Sequence, residues 1–258
     1  HLLSRRQRQM CIRDSYKNKI TYLPDEKKTT VMDGHGGYMN GSRYYGEDLP
    51  INTWYMKRFA GLSEDGLSLW YYTDKETNEE KTTTTYSTGD FYLCGDPNPD
   101  LYGGFGTSIT FHGFDLSTQF SYLVGGLTYD YGYAGMMGNP TATSVGNRWH
   151  KDVLKAWSPE NPSSTIPRWY FNDLNTTGSS DRFLIDGSYL NLQNIQVGYT
   201  LPDSWTSHLK IKNLRLYFVC DNVYYWSKRK GLDPRRSISG VGTSGKIAPF
   251  RTYSGGIS

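Results

Sequence analysis

Between Gly95 and Asp130 the chain reads GDPNPDLYGGFGTSITFHGFDLSTQFSYLVGGLTYD, and its side chains alternate with period two. Phe105, Thr107, Ile109 and Phe111 share one phase, while Gly106, Ser108, Thr110 and His112 share the other. Past Gly113 the pattern resumes, with Phe114, Leu116, Thr118, Phe120, Tyr122 and Val124 alternating with Asp115, Ser117, Gln119 and Ser121. Alternation of this kind predicts two strands joined by a tight turn, in a sheet whose faces differ chemically. Each run holds about ten residues, where soluble strands average about 5–6 and a bilayer crossing takes about 9–11. The length favours a transmembrane barrel over a long soluble hairpin. The apolar phase from Phe105 to Val124 carries no charge, as a lipid-facing surface requires.

Composition agrees with that choice. Aromatic residues make up 15% of the 258, including 22 Tyr and 7 Trp, while mean hydropathy is only −0.64. Alternating strands dilute hydrophobicity, and aromatic girdles raise Tyr and Trp. No run of 18 apolar residues occurs, so a transmembrane helix is excluded. Residues 1–15, HLLSRRQRQMCIRDS, differ from everything downstream. A basic arm is one reading; a secretory leader fails because no apolar stretch follows the arginines. A third reading fits better: Met10–Ser15 back-translates as ATG TGT ATA AGA GAC AG, which resembles a transposase end used in sequencing libraries. Segment 1–15 is therefore expected to be adaptor-derived and to play no part in packing. Without its four arginines and one aspartate, 28 basic and 25 acidic residues become 24 of each. A neutral domain gives no argument for a nucleic-acid partner.

From residue 16 onwards the chain is punctuated. Residues 33–50 form a Gly- and Tyr-rich connection without periodicity, and NTWYMKRFAGL and LSLWYYT read as two strands about the turn SEDG. Residues 73–90 are charged and Thr-rich, a solvated loop without evident chemistry. Asp96–Asp100 starts like a calcium loop, but Leu101 stands where Gly is needed and Thr107 where Glu is needed, so it is a turn into a strand. The long stretch 125–181 has four Pro and the aromatics Trp149, Trp157 and Trp169. His150 within it has no second His or Cys at metal spacing and no nucleophile, and reads as a surface histidine. Leu190 and Leu192 lie out of phase with Ile195, Val197 and Tyr199, which a bulge at Gln193–Asn194 reconciles. Of the three cysteines, Cys94 and Cys220 lie outside the leader, and they form either one disulfide or two free thiols. Altogether the pattern predicts strands near 104–112, 114–124, 183–200, 213–224 and 250–258. The 113–114 turn and the 201–210 connection are expected at one end, and segments 125–181 and 226–249 at the other.

Several motifs resemble the C-terminal barrel of the SusC/RagA-type TonB-dependent outer-membrane receptors. They are GDPNPDLYGGFGTS and GFDLSTQFSYLVGG, Ala60-Gly61-Leu62 with Gly66, WHKD at 149–152, AWSPEN at 156–161 and IPR at 166–168. DRFL at 181–184, SYLNLQNIQVGYTLP at 188–202, DNVYYWSKRKGLDPR at 221–235 and Pro249-Phe250-Arg251-Thr252 continue the series in the family's order. The resemblance implies an all-β fold, an antiparallel transmembrane barrel present here as an open curved sheet of six or seven strands, since 16–258 reads as a C-terminal portion with a shortened last strand. Its free edge is expected on the N-terminal side. The resemblance also implies import of oligosaccharides or peptides at the outer membrane of a Gram-negative, Bacteroidetes-like bacterium. Energy would come from TonB, through a plug and TonB box absent from this stretch, and a SusD-like surface lipoprotein would close the mouth. It implies no enzyme, no cofactor and no metal. Tyr131, Tyr133, Trp157, Trp169, Tyr225 and Trp226 are the candidate substrate or lid contacts, against the plainer reading of packing or an interfacial girdle. Two rivals are a secreted glycan-binding β-sandwich and a glycoside hydrolase, the latter needing two carboxylates about 5–10 Å apart that no motif supplies.

Overall fold

The central alternation becomes a ladder of eleven pairs. In the computed structural model, Leu101–Phe111 and Phe114–Val124 pair from Leu101 against Val124 to Phe111 against Phe114. The turn is His112-Gly113, with φ of 49° and 85°, the positive values that a tight two-residue hairpin turn demands. The structure describes residues 6–14, 17–144, 146, 148–173, 178–207, 211, 214–229, 233–236, 239–241 and 249–258.

This hairpin is the centre of a six-stranded antiparallel sheet. Its order is β1 (Arg6–Asp14), β10 (Leu101–Phe111), β11 (Phe114–Val124), β14 (Tyr189–Thr200), β15 (Arg215–Ser227) and β16 (Thr252–Ile257). The outer strands β1 and β16 do not pair, so the sheet is open, a curled half-barrel. The predicted bulge is present. Gln119 pairs with Asn194 and Phe120 with Leu192, leaving Gln193 as the extra residue. The four strands from β10 to β15 hold 11, 11, 12 and 13 residues, enough to cross a bilayer.

The ladders put all the apolar phases on one face. Ile109, Leu116, Val197 and Phe218 lie in successive strands of a single row, as do Phe114, Tyr199, Leu216 and Ile257. Among the described residues no second sheet covers this face. Phe105, Ile109, Phe114, Val197, Phe218 and Ile257 are all exposed, at 37–70%. The rings instead stack along the surface, Phe105 on Phe120 at 4.7 Å and Phe114 on Tyr199 at 4.3 Å. A β-sandwich would bury such a row against a partner sheet, which is the point on which that rival fails.

At one end of the sheet the connections are short. Thr200 N–H donates to Gly113 O at 2.7 Å, which places the start of the 201–210 connection beside the 112–113 turn, as expected; residues 208–210 lie outside the described set. The other end carries a folded head. There β2 (Thr30–Met32), β3 (His35–Asn40), β4 (Arg43–Gly46), β5 (Thr53–Lys57) and β9 (Phe91–Leu93) form one sheet. A second contains β6 (Phe59–Leu62), β7 (Ser68–Thr73) and β8 (Glu80–Thr83), and a third pairs β12 (Leu127–Tyr129) with β13 (Leu184–Asp186). Trp54, Met56, Tyr129, Met137 and Phe183 form the head's core. The segments after Val124 and before Tyr189 both belong to it, as predicted for the long-loop end.

Four expectations change. Residues 33–50 are not a connection but most of a meander, because Asp33-Gly34 and Gly41-Ser42 are two-residue turns with positive φ at Asp33, Gly34 and Gly41. Residues 73–90 are not wholly a loop, since Glu80–Thr83 pairs with β7. The strand expected over 183–200 is two strands, with 184–186 recruited into the head and 189–200 into the sheet. Finally, the leader does not stand apart. Arg6–Asp14 pairs with β10 and occupies the edge expected to be free; residues 1–5 and 15 lie outside the described set. Any extended backbone can satisfy an open strand edge. The adaptor origin is a statement about the gene, and strand pairing does not test it.

Candidate functional site

The polar face of the sheet runs into the head, and its side chains are linked rather than loose. Asp115 on β11 accepts from Arg215 on β15 through both carboxylate oxygens, at 2.9 and 2.6 Å. The strand between them contributes Gly198, and a Cβ there would lie 2.4 Å from both partners. A glycine is what lets a side chain from β15 reach across β14 to β11. Farther up the face, Asn194 Nδ2 donates to Asp221 at 2.7 Å, and Asn191 Nδ2 to Ser121 Oγ at 3.3 Å.

Near the head this face receives the DPR motif. Arg235 donates to both oxygens of Asp233 at 2.8 Å each and to Asn191 Oδ1 at 2.6 Å, and its guanidinium stands 4.7 Å from the centre of the Tyr225 ring. Asp233 and Asn191 are buried. The side-chain bond to Asp233 holds Arg235 in its charged form and raises its pKa. Two charges facing each other bidentately, two residues apart, make a rigid clip that fixes the segment to the sheet. Beside it, a groove of about 510 Å³ opens along Asn222–Ser227, with Arg235, Pro249 and Arg251 on its other walls.

Three cations of the head, Arg43, Lys57 and Arg182, meet carbonyls and rings. The Arg43 guanidinium lies 3.1 Å from the Trp54 ring centre and donates to Asn52 O at 2.5 Å and to Ser239 O. Burial lowers its pKa to about 10. Lys57 is 4% exposed, and its Nζ donates to the carbonyls of Tyr86, Ser87 and Gly89; burial lowers its pKa as well. Arg182, stacked 4.5 Å from the Phe183 ring centre, is also brought down to about 10 by burial. Sequence reading passed over all three, because no local pattern marks a cation that meets a ring or a main-chain carbonyl.

The six aromatics singled out from the sequence do not converge. Tyr131 opens the helix α1 (Tyr131–Met136) and packs at 4.4 Å on Tyr129. Tyr133, two residues on, lies under the Arg229 guanidinium at 3.7 Å and donates from its hydroxyl to Asp152 Oδ2 at 3.2 Å. Arg229 Nε in turn pairs with the buried Asp130 at 3.1 Å. Trp157 lies flat on Gly66, where a Cβ would come within 2.3 Å of the indole. Trp169 donates to Gly138 O at 2.9 Å and meets Trp149 edge to face at 5.2 Å. Tyr225 and Trp226 are neighbours pointing to opposite faces, Tyr225 to the Arg235 clip and Trp226 to the apolar side against Tyr224 at 4.8 Å. His150, expected at the surface, is half-buried. It meets Tyr133 edge to face at 4.8 Å and accepts from Asp152 N–H at 3.2 Å. Cys94 and Cys220 are both free thiols, and burial pushes Cys94 up to about 11. No group of three potential metal ligands occurs among the described residues.

An open antiparallel sheet with long strands, an uncovered uncharged face and a polar face braced by ion pairs is a section of the wall of a transmembrane β-barrel. The comparisons name the barrel. The chain is 28% identical to TonB-dependent receptor P3 of Formosa agariphila over 94% of its own length and 25% of that protein's. Over 58% of its length it is 27% identical to the TonB-dependent receptor SusC of Bacteroides thetaiotaomicron, covering 14% of that protein. Its fold matches the RagAB peptide importer in the open-open state with a TM-score of 0.75 at 23% identity, over 97% of this chain and 26% of that one. No protein-family model matches the chain. The chain spans about a quarter of the length of the first curated relatives it matches. SusC/RagA-type TonB-dependent receptors are the family these relatives share, and the chain carries their barrel fold.

Proposed function

We propose that the chain forms barrel wall and outward-facing head of an outer-membrane, TonB-dependent importer of oligosaccharides or peptides. A SusD-like surface lipoprotein is its proposed partner over the head, and TonB its energy source. The carrying observation is the two-faced sheet of β10 to β15, whose exposed apolar rows hold no charge while its other face holds the Asp115–Arg215 pair. Water on both sides would leave that apolar area uncompensated; lipid on one side does not. The aromatic head at the long-loop end supports a mouth lined by Tyr133, Trp157, Trp169 and Tyr225, with Trp226 at the lipid interface. Spin labels at Phe218 and Ser254, in the full-length receptor in liposomes, test the wall. Oxygen accessibility should be high at 218 and low at 254, and a water-soluble nickel chelate should show the reverse. Uptake of labelled oligosaccharides and of labelled peptides, by cells with and without the receptor gene, tests the cargo. Loss of neither uptake on deletion would remove the import reading.

A further inference from the structure

Opposite Gln193 the strand β15 carries a bulge of its own, and it opens a groove beside β16. Leu192 pairs with Tyr224 and Asn194 with Asp221, so Asn222 and Val223 together stand against Gln193. Asn222 takes a left-handed φ of 52° there. The ladder to β16 ends at the same level, with Asp221 against Thr252, and beyond it Asn222 Nδ2 donates to Phe250 O at 3.2 Å. Residues 249–251 thus leave the strand, and the groove of about 510 Å³ lies between them and Asn222–Ser227. Past the bulge the apolar rows continue as Phe120, Leu192 and Tyr224, then Tyr122, Leu190 and Trp226, one pair short of the junction with the head. Tyr and Trp at the end of an apolar band mark a membrane–water interface. Arg251 reaches this face, since its Nη1 donates to the Tyr253 hydroxyl at 3.5 Å and Tyr253 stacks on Phe218 at 6.0 Å. Among the described residues no carboxylate pairs with Arg251, whereas Arg235, the groove's other arginine, is held by Asp233 and Asn191.

We propose that this groove binds the phosphate of an anionic membrane lipid, with Arg251 as the residue that holds it. A guanidinium meets a phosphate through two parallel N–H donors, and the charge on both sides strengthens the pair. A lone arginine on the lipid side of a barrel is unfavourable, more so with depth; a headgroup phosphate supplies the missing counter-charge. The surroundings favour a lipid over a soluble anion. The exposed rings of Tyr224, Trp226, Phe250 and Tyr253 suit acyl chains, which a free anion does not bring. The inference rests on the membrane reading for the solvent of the apolar face.

The test is native mass spectrometry of the full-length receptor in detergent, titrated with an equimolar mixture of phosphatidylglycerol and phosphatidylcholine. The parent receptor should retain phosphatidylglycerol in preference, and Arg251→Gln should lower that preference by about tenfold, with Arg251→Lys restoring part of it. An unchanged preference in Arg251→Gln would overturn the proposal. So would an equal loss from Lys228→Gln, an exposed cation at the same end of the strand, because surface charge alone would then explain the effect. Inorganic phosphate in excess should leave the lipid bound; its displacement would make this a site for a free anion and defeat the lipid assignment. Should Arg251→Gln fail to fold, Trp226→Ala keeps the charge and removes a wall of the groove, and retention of phosphatidylglycerol should weaken; unchanged retention counts against the groove. The label at Phe218 separates the two readings: lipid exposure there with no effect of Arg251→Gln defeats this inference and leaves the wall intact.

Discussion

The sheet and the head are built from similar strands yet are stabilised in opposite ways. Trp54 and Tyr44 in the head are fully buried, while Phe218 and Phe114 in the sheet are half exposed. The head closes on itself around Trp54, Met56, Tyr129, Met137 and Phe183, and uses water exclusion as any soluble domain does. The sheet keeps its apolar rows outside and relies on continuous ladders, so its cohesion is in the backbone. Placement of charge follows. In the head, buried Arg43 and Lys57 satisfy carbonyls and rings; in strands β10 to β15, charges are confined to one face. The lesson is that each region's pattern is set by the solvent it meets.

The sharpest break in this contrast is Trp54→Ala. It should cost about 3–5 kcal/mol and release the head to protease, while the β-signal of the sheet in detergent survives. Simultaneous loss of both would show that they fold as one unit. Next comes charge placement. Phe218→Arg, in the apolar row, should cost about 2–4 kcal/mol in lipid, whereas Ser117→Arg on the polar face should fall within about 0.5 kcal/mol; folded fractions in liposomes under urea compare them. Lys57→Met, which leaves three carbonyls without their donor, should destabilise the head by about 1–3 kcal/mol. Hydrogen exchange in 86–90 should rise first.

The smallest effect is one of pH. Burial raises the Cys94 thiol from 9.0 to about 11. A group whose folded pKa is raised contributes stability that is complete below the unfolded value and lost as pH climbs through the folded one. The head should therefore weaken between pH 9 and about 11, and Cys94→Ala should flatten that slope in a pH series of melting temperatures. An unchanged slope would mean the thiol is not what titrates. Buried Tyr129, its pKa also raised by burial, adds a loss in the same sense at higher pH.

Much of the sheet was legible in the chain. The 101–124 hairpin, the bulge at Gln193 and the ends at which connections gather all follow from period-two alternation and turn residues, which are local. The Asp33-Gly34 turn was also written there, but the buried side chain that bonds beside it is Tyr44, and no apolar alternation announced it. The candidate site was much less visible. Six loop aromatics were picked for their chemistry, and they are spread over several contacts; Tyr225 meets Arg235 while Trp226 faces the other way. Arg43 on Trp54, Lys57 on 86–89 and Asp115 across Gly198 to Arg215 emerged only in three dimensions.

What the sequence determined by itself is therefore the strand, its phase and its turn, because alternation and positive φ act between neighbours along the chain. Only the tertiary structure decided which segments leave the sheet for the head, which cation meets which ring, and that β1 pairs with the edge of β10. Those choices depend on groups up to 196 residues apart, as for Arg43 and Ser239, brought together by closing loops whose energetic return comes from contacts that no local pattern encodes.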